Sequence, residues 1–113
     1  MYVNSALHGP DFFAGGARTS TYMLPSGTFA DDFHRFTLEW TADGIRWLVD
    51  DVPFHVETRC RIVSLKESWV YDANFHLILN LAVGGTYDGN PTSATPFPGD
   101  LVIDYMRVWR PGP

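Results

Sequence analysis

Acidic side chains that could share a reaction are few in this chain and are spaced badly for one. Glu39, Glu57 and Glu67 each stand alone, and the aspartates include the adjacent pairs Asp31/Asp32 and Asp50/Asp51. Acid–base chemistry at a single bond needs two groups that reach it from opposite sides. In an extended chain neighbouring side chains point to opposite faces, so neither aspartate pair can straddle a scissile bond. His34, His55 and His76 lack metal-ligand spacing with any cysteine or acidic cluster, which makes them structural. Cys60 is the single cysteine, so no internal disulfide is expected. The polar residue that stands out is Asn80, an amide inside the apolar run FHLILNLAVGG, residues 75–85. A buried amide needs hydrogen-bond partners, so Asn80 either ties neighbouring strands together or contacts something bound beside them.

The elements that must position these groups follow from composition and pattern. A chain of 113 residues suffices for one modest domain and is too short for two. Its hydrophobic share of 45% and aromatic share of 15% are those of a folded globular protein. No stretch is long and apolar enough to cross a bilayer, so the chain reads as soluble, with no membrane partner. Eight basic against thirteen acidic residues give a net charge of −5. Phosphate binding rests on clustered Lys and Arg, so a nucleic-acid partner is excluded.

Glycine, proline and aspartate divide the chain into short extended segments: 2–8, 18–24, 33–41, 45–50, 52–57, 75–83 and 100–110. In 33–41, His34, Phe36, Leu38 and Trp40 alternate with Phe33, Arg35, Thr37 and Glu39, and the first set is expected to be buried. The residues ADG (42–44) turn this segment into 45–50, where Ile45, Trp47 and Val49 share a face, so the two should form a hairpin. Residues 60–66 are the one place for a short helix, with Ile62 and Leu65 three apart. The run 75–83 should be a strand buried on both faces. Trp40 and Trp47 sit in alternating strand patterns and read as core; the pattern leaves Trp69 and Trp109 open. Many strands joined by tight turns imply an all-β antiparallel sandwich.

Four stretches carry a resemblance: FADDFHRFTLEW (29–40), GIRWLVDDVPFH (44–55), FHLILNLAVGG (75–85) with a following Gly89, and FPGDLVIDYMRVW (97–109). In this order and spacing they resemble the C-terminal half of glycoside hydrolase family 16, in particular its laminarinase-type endo-β-1,3-glucanases. The likeness implies a concanavalin-like jelly-roll whose concave sheet holds a glucan, here an incomplete half fold. It also implies hydrolysis of β-glucans or related galactans with retention, which uses two carboxyl groups about 5 to 5.5 Å apart. In the family both come from one strand motif, E-x-D-x-E or E-x-D-x-x-E. This chain has no such motif, so no catalytic residue is assigned and a missing first half is expected to carry the motif.

The resemblance assigns further residues by position. His8, in L-H-G, would sit beside the acid/base carboxylate; a solvent-facing histidine at a strand end is the plainer reading. Asn80 would contact substrate or brace the catalytic strand. Gly84 and Gly85 would let backbone approach a ligand or form a bulge. Tyr87 stands where many relatives carry a sugar-stacking tryptophan; a surface-loop tyrosine is the plainer reading. Asp104 matches an aspartate that joins oxygens of the first half around a structural calcium; no cofactor is required for the chemistry. The implied partner is a β-glucan polysaccharide and the implied location is secreted. Unpaired edges and open apolar faces of a half sandwich point to a homo-oligomer, or to a complementary half.

Overall fold

The computed structural model describes residues 2–86 and 89–110. The chain divides into two compact units, 1–74 and 75–113. The first contains every regular element found among the described residues: β1 (Tyr2–Leu7), a 3-10 turn (Ala14–Gly16), β2 (Arg18–Met23), β3 (Phe36–Trp40), β4 (Gly44–Val49), β5 (Val52–Thr58) and α1 (Arg59–Ser64). β1 and β2 form one antiparallel sheet, and β3, β4 and β5 form a second in that order.

The β3–β4 hairpin forms as the alternation and the ADG turn require. Thr41 N–H donates to the Gly44 carbonyl at 2.9 Å, and the Thr41 hydroxyl accepts from Asp43 and Gly44 N–H, which closes the turn. Between β4 and β5 the chain reverses through Asp50 and Asp51, both in the left-handed region at φ 48° and 67°. Two-residue hairpin turns of this kind match the strand twist, and aspartate tolerates the conformation. The β4–β5 register shifts between Trp47 and Leu48, where Pro53 lies opposite Leu48. Proline donates no ladder hydrogen bond, and β5 accommodates it on an edge strand.

α1 begins one residue before the expected segment. Thr58 caps it, its hydroxyl accepting from Arg61 N–H at 3.2 Å. Lys66, at φ 62°, adopts the left-handed conformation that ends such helices. Ile62 is fully buried, whereas Leu65 points to solvent. The core of this unit gathers Leu7, Phe12, Ile45, Ile62 and Tyr71, with Trp47, Trp69 and Val70 packed against it. At Gly9 a Cβ would lie 2.7 Å from the Phe12 ring, so the turn between β1 and β2 depends on that glycine. The sheets meet where β1 and β2 approach β5: Ser20 Oγ donates to the Phe54 carbonyl at 3.0 Å, and the Tyr22 and Phe54 rings lie 5.6 Å apart.

Two expectations about burial are corrected. Phe36, Leu38 and Trp40 do share a face with β4's core residues, yet all three are exposed. Alternation decides which way side chains point but not whether a second layer covers them, and β3 is the outer strand of its sheet. In the second unit, 75–83 and 100–110 form no strand ladder among the described residues, and Leu77, Leu79, Val102 and Val108 are exposed. A strand buried on both faces needs ladder partners at its edges and layers above and below. The described residues supply neither.

Candidate functional site

Each glutamate is held by a cation. On the outer face of the second sheet Glu39 accepts from Arg46 Nε at 2.6 Å. Glu67 pairs with Arg18, whose guanidinium also lies over the Phe12 ring. Glu57 is only 3% exposed, and its Oε1 lies 3.5 Å from both His55 Nε2 and Arg61 Nη1. No hydrogen bond or ion pair among the described residues brings one carboxyl group to another.

The most concentrated polar chemistry lies where the sheets meet, and sequence reasoning missed it. His55 and Glu57 are two apart on β5 and therefore share a face, which is the core face. Ser5 Oγ lies 2.6 Å from His55 Nδ1 and 3.3 Å from the Ser20 carbonyl, while the imidazole stacks on Trp47 at 4.5 Å. The signal was available as two ionisable residues on the inward parity of a strand, but each looked isolated when compared only with its sequence neighbours. Glu57 Oε2 is buried with no hydrogen-bond partner among the described residues. Serine, histidine and glutamate in line have the composition of a nucleophile relay. Here all three side chains are buried, so the cluster joins the sheets and presents no nucleophile to a substrate.

His8 follows β1 with its side chain exposed, and its carbonyl accepts from the Tyr71 hydroxyl. Burial pushes the Tyr71 phenol above its ordinary value. In the second unit Asn80 is exposed rather than enclosed in an apolar strand, and Asp104 is exposed as well. Gly84 and Gly85 have φ 73° and 127°, so both positions need glycine for the path of the backbone itself. At Gly84 a Cβ would also sit 3.2 Å from Asn90 Oδ1. Tyr87 lies outside the described residues. Among the described residues no group of three or more His, Cys, Asp or Glu side chains could hold a metal ion, so Asp104 is not part of a carboxylate cluster. Of the tryptophans, Trp47 and Trp69 pack against the core, Trp40 donates from Nε1 to the Tyr71 carbonyl at 2.6 Å, and Trp109 is exposed.

Comparison with known proteins decides the family. The family model described as "Glycosyl hydrolases family 16" matches residues 4–107. The chain belongs to glycosyl hydrolases family 16. A Beta-glucanase of Rhodothermus marinus is 36% identical over 115 residues, a match that takes in 89% of this chain and 40% of the relative. The X-ray structure of endo-beta-1,3-glucanase from Pyrococcus furiosus superposes with a TM-score of 0.82 at 40% identity, covering 86% of this chain and 38% of that one. A Beta-1,3-glucan-binding protein of Penaeus monodon is 35% identical over 107 residues, covering 76% of this chain and 28% of the relative. The family 16 chain therefore spans about 40% or less of these relatives. Its fold is a partial antiparallel β-sandwich of the jelly-roll type shared with the Pyrococcus furiosus glucanase.

Proposed function

We propose that this chain is the glucan-holding part of a retaining endo-β-1,3(4)-glucanase domain and does not cleave glycosidic bonds by itself. The observation that carries the reading is that Glu39, Glu57 and Glu67 lie far apart in sequence and each faces an arginine. Retaining hydrolysis needs one carboxylate as nucleophile and one as acid/base, about 5 to 5.5 Å apart across the bond. Each of these carboxylates is engaged by an arginine instead of by a second carboxylate, and the buried Glu57 has no path to a polysaccharide.

What the chain contributes is binding. In the first unit the imidazole of His8 offers a hydrogen bond to a sugar hydroxyl; in the second, separately, the amide of Asn80 offers another and the Gly84–Gly85 backbone, free of Cβ atoms, admits close approach. Tyr87 supplies a ring face for the C–H surface of glucose. The likeness to a protein named for binding β-1,3-glucan favours a second reading, a module that binds glucan and needs no catalytic half.

The purified chain incubated with laminarin and with lichenan tests both statements. Binding without new reducing ends is expected. Tyr87→Ala should weaken binding by about 2- to 10-fold, the equivalent of roughly 0.5–1.5 kcal/mol for a ring contact. Appearance of new reducing ends would overturn the non-catalytic assignment. Failure to bind either polysaccharide would overturn the binding role.

A further inference from the structure

The turn that carries His8 is closed by its own backbone and then gripped from a distant part of the first unit. Gly9 N–H donates to the Phe12 carbonyl at 2.8 Å, and Phe12 N–H donates to the Gly9 carbonyl at 3.2 Å. The Phe12 ring is buried in the core, whereas the His8 side chain stands in solvent. The grip comes from residues 68–71, which follow α1. Ser68 N–H donates to Asp11 Oδ2 at 2.7 Å, and the Tyr71 hydroxyl donates to the His8 carbonyl. That hydroxyl also lies against Gly9, where a Cβ would come within 3.0 Å of it.

Tyr71 is itself fixed on both sides. Its ring sits in the core cluster and meets the Trp69 ring edge-on at 4.9 Å, while its carbonyl accepts from Trp40 Nε1 at 2.6 Å. Burial pushes the phenol above its ordinary value, so it remains a donor through neutral pH. A rigid buried ring thus delivers one polar atom to the main chain of an exposed residue, and supporting contacts of this kind are what hold a binding side chain in a productive orientation. We propose that Tyr71 is a positioning residue for His8: its hydroxyl fixes the backbone from which the imidazole reaches a sugar hydroxyl, without itself touching the saccharide. This inference rests on the reading of His8 as a glucan contact.

A double-mutant cycle on laminarin affinity tests it, with the parent chain, His8→Ala, Tyr71→Phe and the double variant. Tyr71→Phe removes one oxygen and keeps the ring, so the core packing survives, which circular dichroism checks. The substitution should weaken laminarin binding about 3- to 10-fold, the scale of one buried hydrogen bond. In the His8→Ala background it should add less than about 1.5-fold, because no imidazole is left to position. The Gly9 and Phe12 amides, followed by NMR without glucan, should exchange at least about fivefold faster in Tyr71→Phe. Equal losses in both backgrounds would reveal a general effect on the fold and overturn the positioning role. An unchanged affinity of Tyr71→Phe, where the parent binds and His8→Ala weakens binding, would overturn that role alone and leave His8 as a contact. A parent chain that does not bind, or a His8→Ala variant that binds as well as the parent, would remove the glucan contact itself and this inference with it.

Discussion

At the scale of single residues, Asp50 shows how an acidic pair that looks available for chemistry is used for structure. Its carboxylate accepts from His34 Nδ1 at 2.7 Å and from Arg35 N–H at 2.8 Å, while its own N–H donates to the Arg35 carbonyl at 2.9 Å. The hydrogen bond from His34, and then that from the Arg35 backbone, holds the Asp50 carboxyl below its ordinary value. In the unfolded chain the group returns to about 3.9, so around and below that pH the unfolded state binds more protons than the folded one. The stabilisation is therefore complete above the ordinary value and is lost as pH falls through the folded one. Asp50→Asn should lower stability by about 1 kcal/mol at neutral pH, a modest figure because the carboxylate is 44% exposed and screened. The same variant should flatten the acid limb below about pH 4. Urea midpoints followed from neutral pH down to about pH 2.5 would show both effects; parallel curves for the two proteins would remove Asp50 from the acid response.

At the scale of elements, α1 depends on one side chain. Ile62 has no accessible surface and sits in the core cluster, whereas Leu65, three residues on, is 52% exposed. Ile62→Ala should cost about 2–5 kcal/mol, from lost transfer energy and the cavity left behind. Leu65→Ala should cost under about 1 kcal/mol, a contrast that denaturant titration of the two variants would reveal. Before any coordinates both leucine-like positions read alike, since their spacing fits one helical face. The helix was legible, but the depth to which each residue sinks was not. The β3–β4 hairpin was legible because strict alternation meets a turn that only a hairpin satisfies. The Ser5–His55–Glu57 cluster was legible only in part: the shared parity of His55 and Glu57 on β5 is local, but Ser5 is brought to them by the meeting of two sheets, a long-range event that no local pattern encodes. Of the assigned glucan-contacting residues, Gly84 and Gly85 have a conformational reason that the double glycine already signalled.

At the scale of the molecule, the two units differ in what holds their backbones. In the first, β1 to β5 satisfy one another through antiparallel ladders. In the second, 77–83 and 101–109 carry apolar side chains on both parities, yet no ladder joins them to a neighbour among the described residues. Backbone amides without a protein partner exchange with solvent at rates set by local chemistry, while ladder amides wait for an opening event. Hydrogen exchange followed by mass spectrometry should therefore divide the chain: peptides from β4 and β5 protected, those from 77–83 and 101–109 exchanging at close to unprotected rates. Protection of those segments would mean that they pair, with another copy or within the chain, and the contrast drawn between the backbones of the two units would have to be abandoned.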